Sequence, residues 1–149
     1  MKKTIVILLI IFSFTFIFSL KASVLDDENY IFDDLEQVDD FLYWQVGGWQ
    51  AVDSRSLIVN INPSQSYLLI LDRNVWAIKY TEQIKISSRN SRVRKNVDLV
   101  QVLNQPSRPG RIVSIYLLPD RESQRSVRAK IRGEEIEGPI AYISDGEII

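Results

Sequence analysis

Three aspartates stand where a run of apolar residues meets a turn: Asp53, Asp72 and Asp98. Two carboxylates held about 5–9 Å apart across a cleft can cleave a glycosidic bond, one as acid and the other as nucleophile or base. The same positions suit turn residues whose carboxylates accept from their own backbone. A Ser–Lys pair is the other nucleophilic option, but no motif singles out a serine. The chain contains no histidine and no cysteine. That excludes Ser-His-Asp and Cys-His nucleophiles, histidine-bound zinc, copper or haem, thiolate metal sites and disulfides. The acidic run DDENYIFDDLEQVDD lacks the alternating carboxylates and sharp-turn glycine of a calcium loop. The glycines, Gly47-Gly48, Gly110, Gly133, Gly138 and Gly146, form neither a P-loop nor a dinucleotide fingerprint. No cofactor and no metal are expected.

The sharpest remaining feature is a cluster of cations, Arg89, Arg92, Arg94 and Lys95, in SSRNSRVRKN, with Arg108 and Arg111 in the next connection. Guanidinium groups grip phosphate, sulfate or carboxylate at two points, so this connection is a candidate anion site. The competing expectation is internal. Val24 to Ser54 holds nine acidic residues and no basic one, whereas Arg73 to Arg132 holds fourteen basic and four acidic. The basic connection can therefore face the chain's own acidic stretch. Nucleic acid is not expected as a partner, because the connection has no interleaved aromatic side chains on which bases would stack. Aromatics gather elsewhere, at Phe41, Tyr43, Trp44, Trp49, Tyr67 and Trp76. Of these, Trp44, Trp49 and Trp76 are candidates to line a ligand groove, with core packing as the alternative.

The elements that position these groups begin after a leader. Lys2-Lys3, the apolar run Ile5–Leu20 and Lys21-Ala22-Ser23 read as a secretory signal peptide over residues 1–22, cleaved after Ala22. An uncleaved inner-membrane anchor over residues 5–20 is the alternative. The expected location is the periplasm or the exterior, with no membrane attachment once the signal is removed. Residues 23–48 form an acidic N-terminal segment in which Ile31, Leu35, Val38 and Leu42 recur at helical spacing, so a short helix is expected there. Residues 49–149 form a mainly-β domain. Strands are expected at Trp49–Val52, Leu57–Ile61, Tyr67–Leu71, Gln83–Ser87, Asp98–Leu103 and Arg111–Leu118, separated by turn residues. Tyr67–Leu71 offers apolar side chains to both faces and is expected at the centre of a sheet. Val75–Ile78 suits one helical turn or a short strand.

Asp120 to Arg132 admits two periodicities. Ser123, Val127 and Ile131 share a helical face between an N-cap aspartate and Gly133, while Val127, Ala129 and Ile131 alternate with cations as in a strand. The helix is favoured because residues 120–125 carry no β pattern. A further edge strand is expected over residues 139–144. The fold class is thus mainly β, a small, largely antiparallel barrel or sandwich of six to seven strands with a short N-terminal helix and a C-terminal helix.

Trp49-x-x-x-Asp53 leading into Leu57-Ile58-Val59, then Tyr67-Leu68-Leu69 and Ile112-x-x-Ile115-Tyr116, resembles a group of small exported bacterial proteins known only as a domain of unknown function. The resemblance covers Trp49 to Arg132. It implies a strand framework and brings no activity with it. The resemblance implies that cysteines often stand near the turn after the third strand; Asp72-Arg73-Asn74-Val75 departs from that pattern and has none, so no bridge forms there. The function these features lead us to expect is an exported, non-catalytic domain that acts by binding or as a component of an envelope assembly, with an envelope protein or an anionic polymer as partner. A carboxylate-dependent hydrolase of cell-wall or glycan polymers and an anion-binding module built on the basic connection are the alternatives.

Overall fold

A computed structural model of the chain describes residues 27–43, 47–103 and 108–134. The leader expected over residues 1–22, Trp44 and the strand expected over residues 139–144 lie outside them. Eight strands appear: β1 Asp40–Leu42, β2 Gly48–Ala51, β3 Ser56–Asn62, β4 Gln65–Leu71, β5 Ile84–Ile86, β6 Arg92–Arg94, β7 Leu99–Val102 and β8 Gly110–Leu118. One α-helix follows, α1 at Arg121–Arg132, and Glu28–Tyr30 and Trp76–Tyr80 are 3₁₀ turns. Six strands make an antiparallel half-barrel in the order β2-β3-β4-β8-β7-β5, and β1 pairs with β6 in a separate ribbon.

The β3–β4 hairpin sets the frame. Asn62 Oδ1 accepts from Ser64 N at 2.9 Å, the local hydrogen bond that lets Asn62-Pro63-Ser64 reverse the chain. The register then places Leu57 opposite Leu69, Ile58 opposite Leu68 and Val59 opposite Tyr67. Because side chains alternate, one set (Leu57, Val59, Leu69, Leu71) enters a core shared with Phe41 and Val93. The other set (Ile58, Leu68, Ile70) enters a second core against Phe32, Val127 and Ile131. β4 is central, as its two apolar faces require. On β8, Ile112 and Ile115 reach the same core despite their odd spacing. A bulge explains this: β8 passes from Ile112 to Ser114 while β4 passes from Leu71 to Ile70, so Val113 is an extra residue.

The N-terminal helix expected over Ile31–Leu42 does not form; among the described residues before β1 the helical ones are the 3₁₀ turn Glu28–Tyr30. Residues 36–38 instead run along the open edge of β8. Val38 N donates to Ile115 O and Leu117 N to Glu36 O, each at 2.9 Å. β7 pairs with β8 only near Leu99 and Val100, so the far half of β8 needs these partners for its backbone groups. The buried anchors are Phe32 and Phe41, while Ile31 and Leu42, which carried the helical spacing, are exposed. The acidic segment is thereby built into the same body as the strands that follow.

The connection read as a basic loop contains β6, whose Val93 is fully buried. Asn90 and Ser91 both adopt positive φ, 55° and 56°, and Arg89 and Arg92 exchange backbone hydrogen bonds of 3.1 Å, which closes a tight two-residue turn. The α1 helix is stopped as its sequence dictates. Asp120 accepts from Ser123 N at 2.7 Å, and Gly133 at φ 66° lets Glu134 N reach Ala129 O.

A candidate anion-binding groove on the α1 face

Within α1, Arg121, Arg125, Arg128 and Arg132 are spaced i, i+4, i+7 and i+11, and therefore share one face. Val127 and Ile131 occupy the adjoining face and fix the helix to the sheet through the second core. The arginine face forms one wall of an open groove of about 1210 Å³. Opposite stands the end of the β3–β4 hairpin, with Asn60, Ile61, Asn62, Pro63 and Ser66, and Gly47 beside it. Gln124 and Ala129 complete the helix side, and Glu134 closes one end.

A polar relay ties the two walls together. Ser66 Oγ donates to Asn60 Oδ1 at 2.8 Å and accepts from Gln124 Nε2 at 3.0 Å. Arg128 is half-buried and donates one terminal N–H to Gln50 Oε1. Its Nε is buried with no partner among the described residues. Burial and the neighbouring Arg132 charge pull the Arg128 pKa below the ordinary arginine value. Arg132 donates to Val52 O and lies 3.8 Å from Glu134 Oε1. No carboxylate among the described residues pairs with Arg121, Arg125 or Arg128.

The cations singled out in the sequence are placed otherwise. Arg92 pairs with Asp40 across the β1–β6 ribbon, and Lys95 Nζ lies 2.8 Å from Asp39 Oδ1. The Arg94 amide donates to Asp98 at 2.7 Å, and Arg89 is exposed at the turn. These four do not converge on a groove. Among the aromatics, Phe41 stacks on Tyr67 with ring centroids 4.4 Å apart, inside the first core. Trp49 is half-buried against that core and borders a small recess of about 450 Å³. Trp76 is 65% exposed, so it projects into solvent and packs on no groove with Trp49.

Each candidate aspartate is held by its own surroundings. Asp53 accepts from Arg55 N, Ser56 Oγ and the Tyr30 hydroxyl. Asp72 accepts from Arg73 and from Arg111 N; burial would raise its pKa, but these donors together lower it. Asp98, buried, accepts from Ser87 Oγ and Arg94 N. No group of three carboxylates able to hold a metal ion gathers among the described residues.

Read as strand alternation, the cations of residues 120–132 do not show the arginine row. Its signal was present: once residues 121–132 are helical, four arginines fall on one face.

The chain is a mainly-β half-barrel domain with one C-terminal helix. It belongs to the family described as "Family of unknown function (DUF6491)", whose model matches residues 1–134. Neither the curated proteins nor the solved structures contain a match to it.

Proposed function

We propose that this chain is an exported, non-catalytic binding domain whose ligand is anionic and sits in the groove between α1 and the β3–β4 hairpin. The observation that carries the reading is the row of four arginines on the groove wall, three of them without a carboxylate partner among the described residues. Holding like charges side by side is unfavourable, and an anion among them offsets that cost. Among the described residues that line the groove Glu134 is the one acidic side chain against four arginines, so these residues carry a positive excess although the chain as a whole is slightly acidic. The anion-binding expectation is thus kept and moved from the Arg89–Lys95 connection to the helix.

Heparin-agarose retention tests this directly. The double variant Arg125→Ser/Arg128→Ser should elute at clearly lower salt, and Arg92→Ser/Lys95→Ser should elute close to the unaltered protein. Unchanged elution of the helix variant, with circular dichroism showing it folded, would remove the groove as the site. Export is supported by the leader over residues 1–22, and N-terminal sequencing of protein from the periplasmic fraction should begin at Ser23. An intact leader on protein confined to the cytosol would refute it.

A further inference from the structure

Resting on the groove as an anion site, we infer that its ligand is a linear acidic polysaccharide, a chain of hydroxyl-rich units with a carboxylate or sulfate at regular intervals. The arginine row is straight because it follows a helix axis. Successive members are about 4.5–6 Å apart along that axis and the row spans about 16 Å. A single phosphate or sulfate would engage two of these guanidinium groups and leave the others unanswered. A polymer carrying one charge per sugar unit meets them in turn.

Polar groups from both walls, Asn60 on the hairpin and Gln124 on the helix, point to what lies between the charges. Asn60 and Gln124 are tied through Ser66, with the Asn60 amide N–H₂ and the Gln124 carbonyl not used in that relay. Together they present donors and an acceptor, which is what sugar hydroxyls require. Among the described residues no aromatic side chain lines the groove, and these offer nucleobases no stacking platform.

Calorimetric titration of the purified protein at one fixed ionic strength decides the matter. The probes are sodium glucuronate, inorganic sulfate, galacturonate oligomers of two to six units, sulfated dextran oligomers, neutral dextran, oligothymidylate and oligoaspartate. Affinity should rise by about tenfold or more from the single sugar acid to the tetramer and then level off, as expected when linked charges meet linked sites. Asn60→Ala should weaken the sugar oligomers at least twofold more than it weakens inorganic sulfate; an equal loss for both would remove Asn60 as a sugar contact. The galacturonate and sulfated arms show which charged group is preferred, and tight binding of either supports the assignment. If glucuronate or sulfate binds as tightly as the oligomers, the polymer assignment falls and the anion site stands. Oligothymidylate or oligoaspartate binding more tightly at equal charge would overturn the polysaccharide. Binding to none of the charged probes would sink both readings.

Discussion

Lys95 Nζ stands 2.8 Å from Asp39 Oδ1, and one step along the same ribbon Arg92 pairs with Asp40. These contacts join the acidic and basic halves of the chain, and they decide which cations remain for a ligand. The connection richest in cations is turned toward its own carboxylates, and in the helix that follows β8 Arg121, Arg125 and Arg128 have no carboxylate partner among the described residues.

The ribbon should owe its stability to packing more than to charge. Asp40 and Arg92 are both solvent-accessible, so Asp40→Asn should cost less than about 1 kcal/mol in urea unfolding. Phe41 is buried against Tyr67, and Phe41→Ala should cost about 3–5 kcal/mol. Equal losses for the two variants would refute this ordering.

Alkaline stability should report on Tyr30. Burial, and then its hydrogen bond to Asp53, raise the Tyr30 pKa well above the ordinary 10.0, against the lowering effect of Arg55. A folded-state pKa above the unfolded one means that the contribution is complete below about pH 10 and is lost as pH rises toward the folded value. Tyr30→Phe should lower stability by about 1 kcal/mol at neutral pH and flatten the decline above pH 10. A decline of the same slope in both proteins would show that Tyr30 is not its source.

Gly110 begins β8 in a space with no room for a side chain. A Cβ there would lie 2.9 Å from Leu71 Cδ1 and 3.0 Å from Val75 Cγ2, both in the first core. Gly110→Ala should therefore destabilise the protein by about 1–3 kcal/mol, measured by thermal or urea unfolding. A variant as stable as the parent would mean that the core yields at no cost.

The N-cap of α1 should affect binding as well as folding. Asp120 accepts from Ser123 N and Oγ, and its pKa is lowered by those bonds. Asp120→Ala should fray the first turn, which carries Arg121, and reduce heparin retention with little change in the melting of the sheet. Retention equal to that of the parent would place the working arginines further along the helix.

Most of the framework was legible from residue order. The strands at Leu57–Ile61, Tyr67–Leu71 and Arg111–Leu118 follow from local alternation and turn residues, and each appears within two residues of its expected ends. Asp120 and Gly133 likewise bound α1 through hydrogen bonds that involve only nearby residues. These features depend on neighbours in sequence, so sequence suffices to find them. The arginine face of α1 is of the same kind, since it follows from helix period alone.

Other features depend on residues far apart along the chain. Whether residues 36–42 became helix or strand was decided by the open edge of β8 and by β6, whose unpaired backbone groups took them as partners. Whether Arg92 and Lys95 were free for a ligand was decided by the same pairing, because it brought Asp39 and Asp40 beside them. The groove itself exists only where α1 packs near the β3–β4 hairpin end, a distance no periodicity encodes. Local hydrogen-bonding and alternation are written in the order of residues; edge satisfaction and the opposition of two walls arise only when the chain closes on itself.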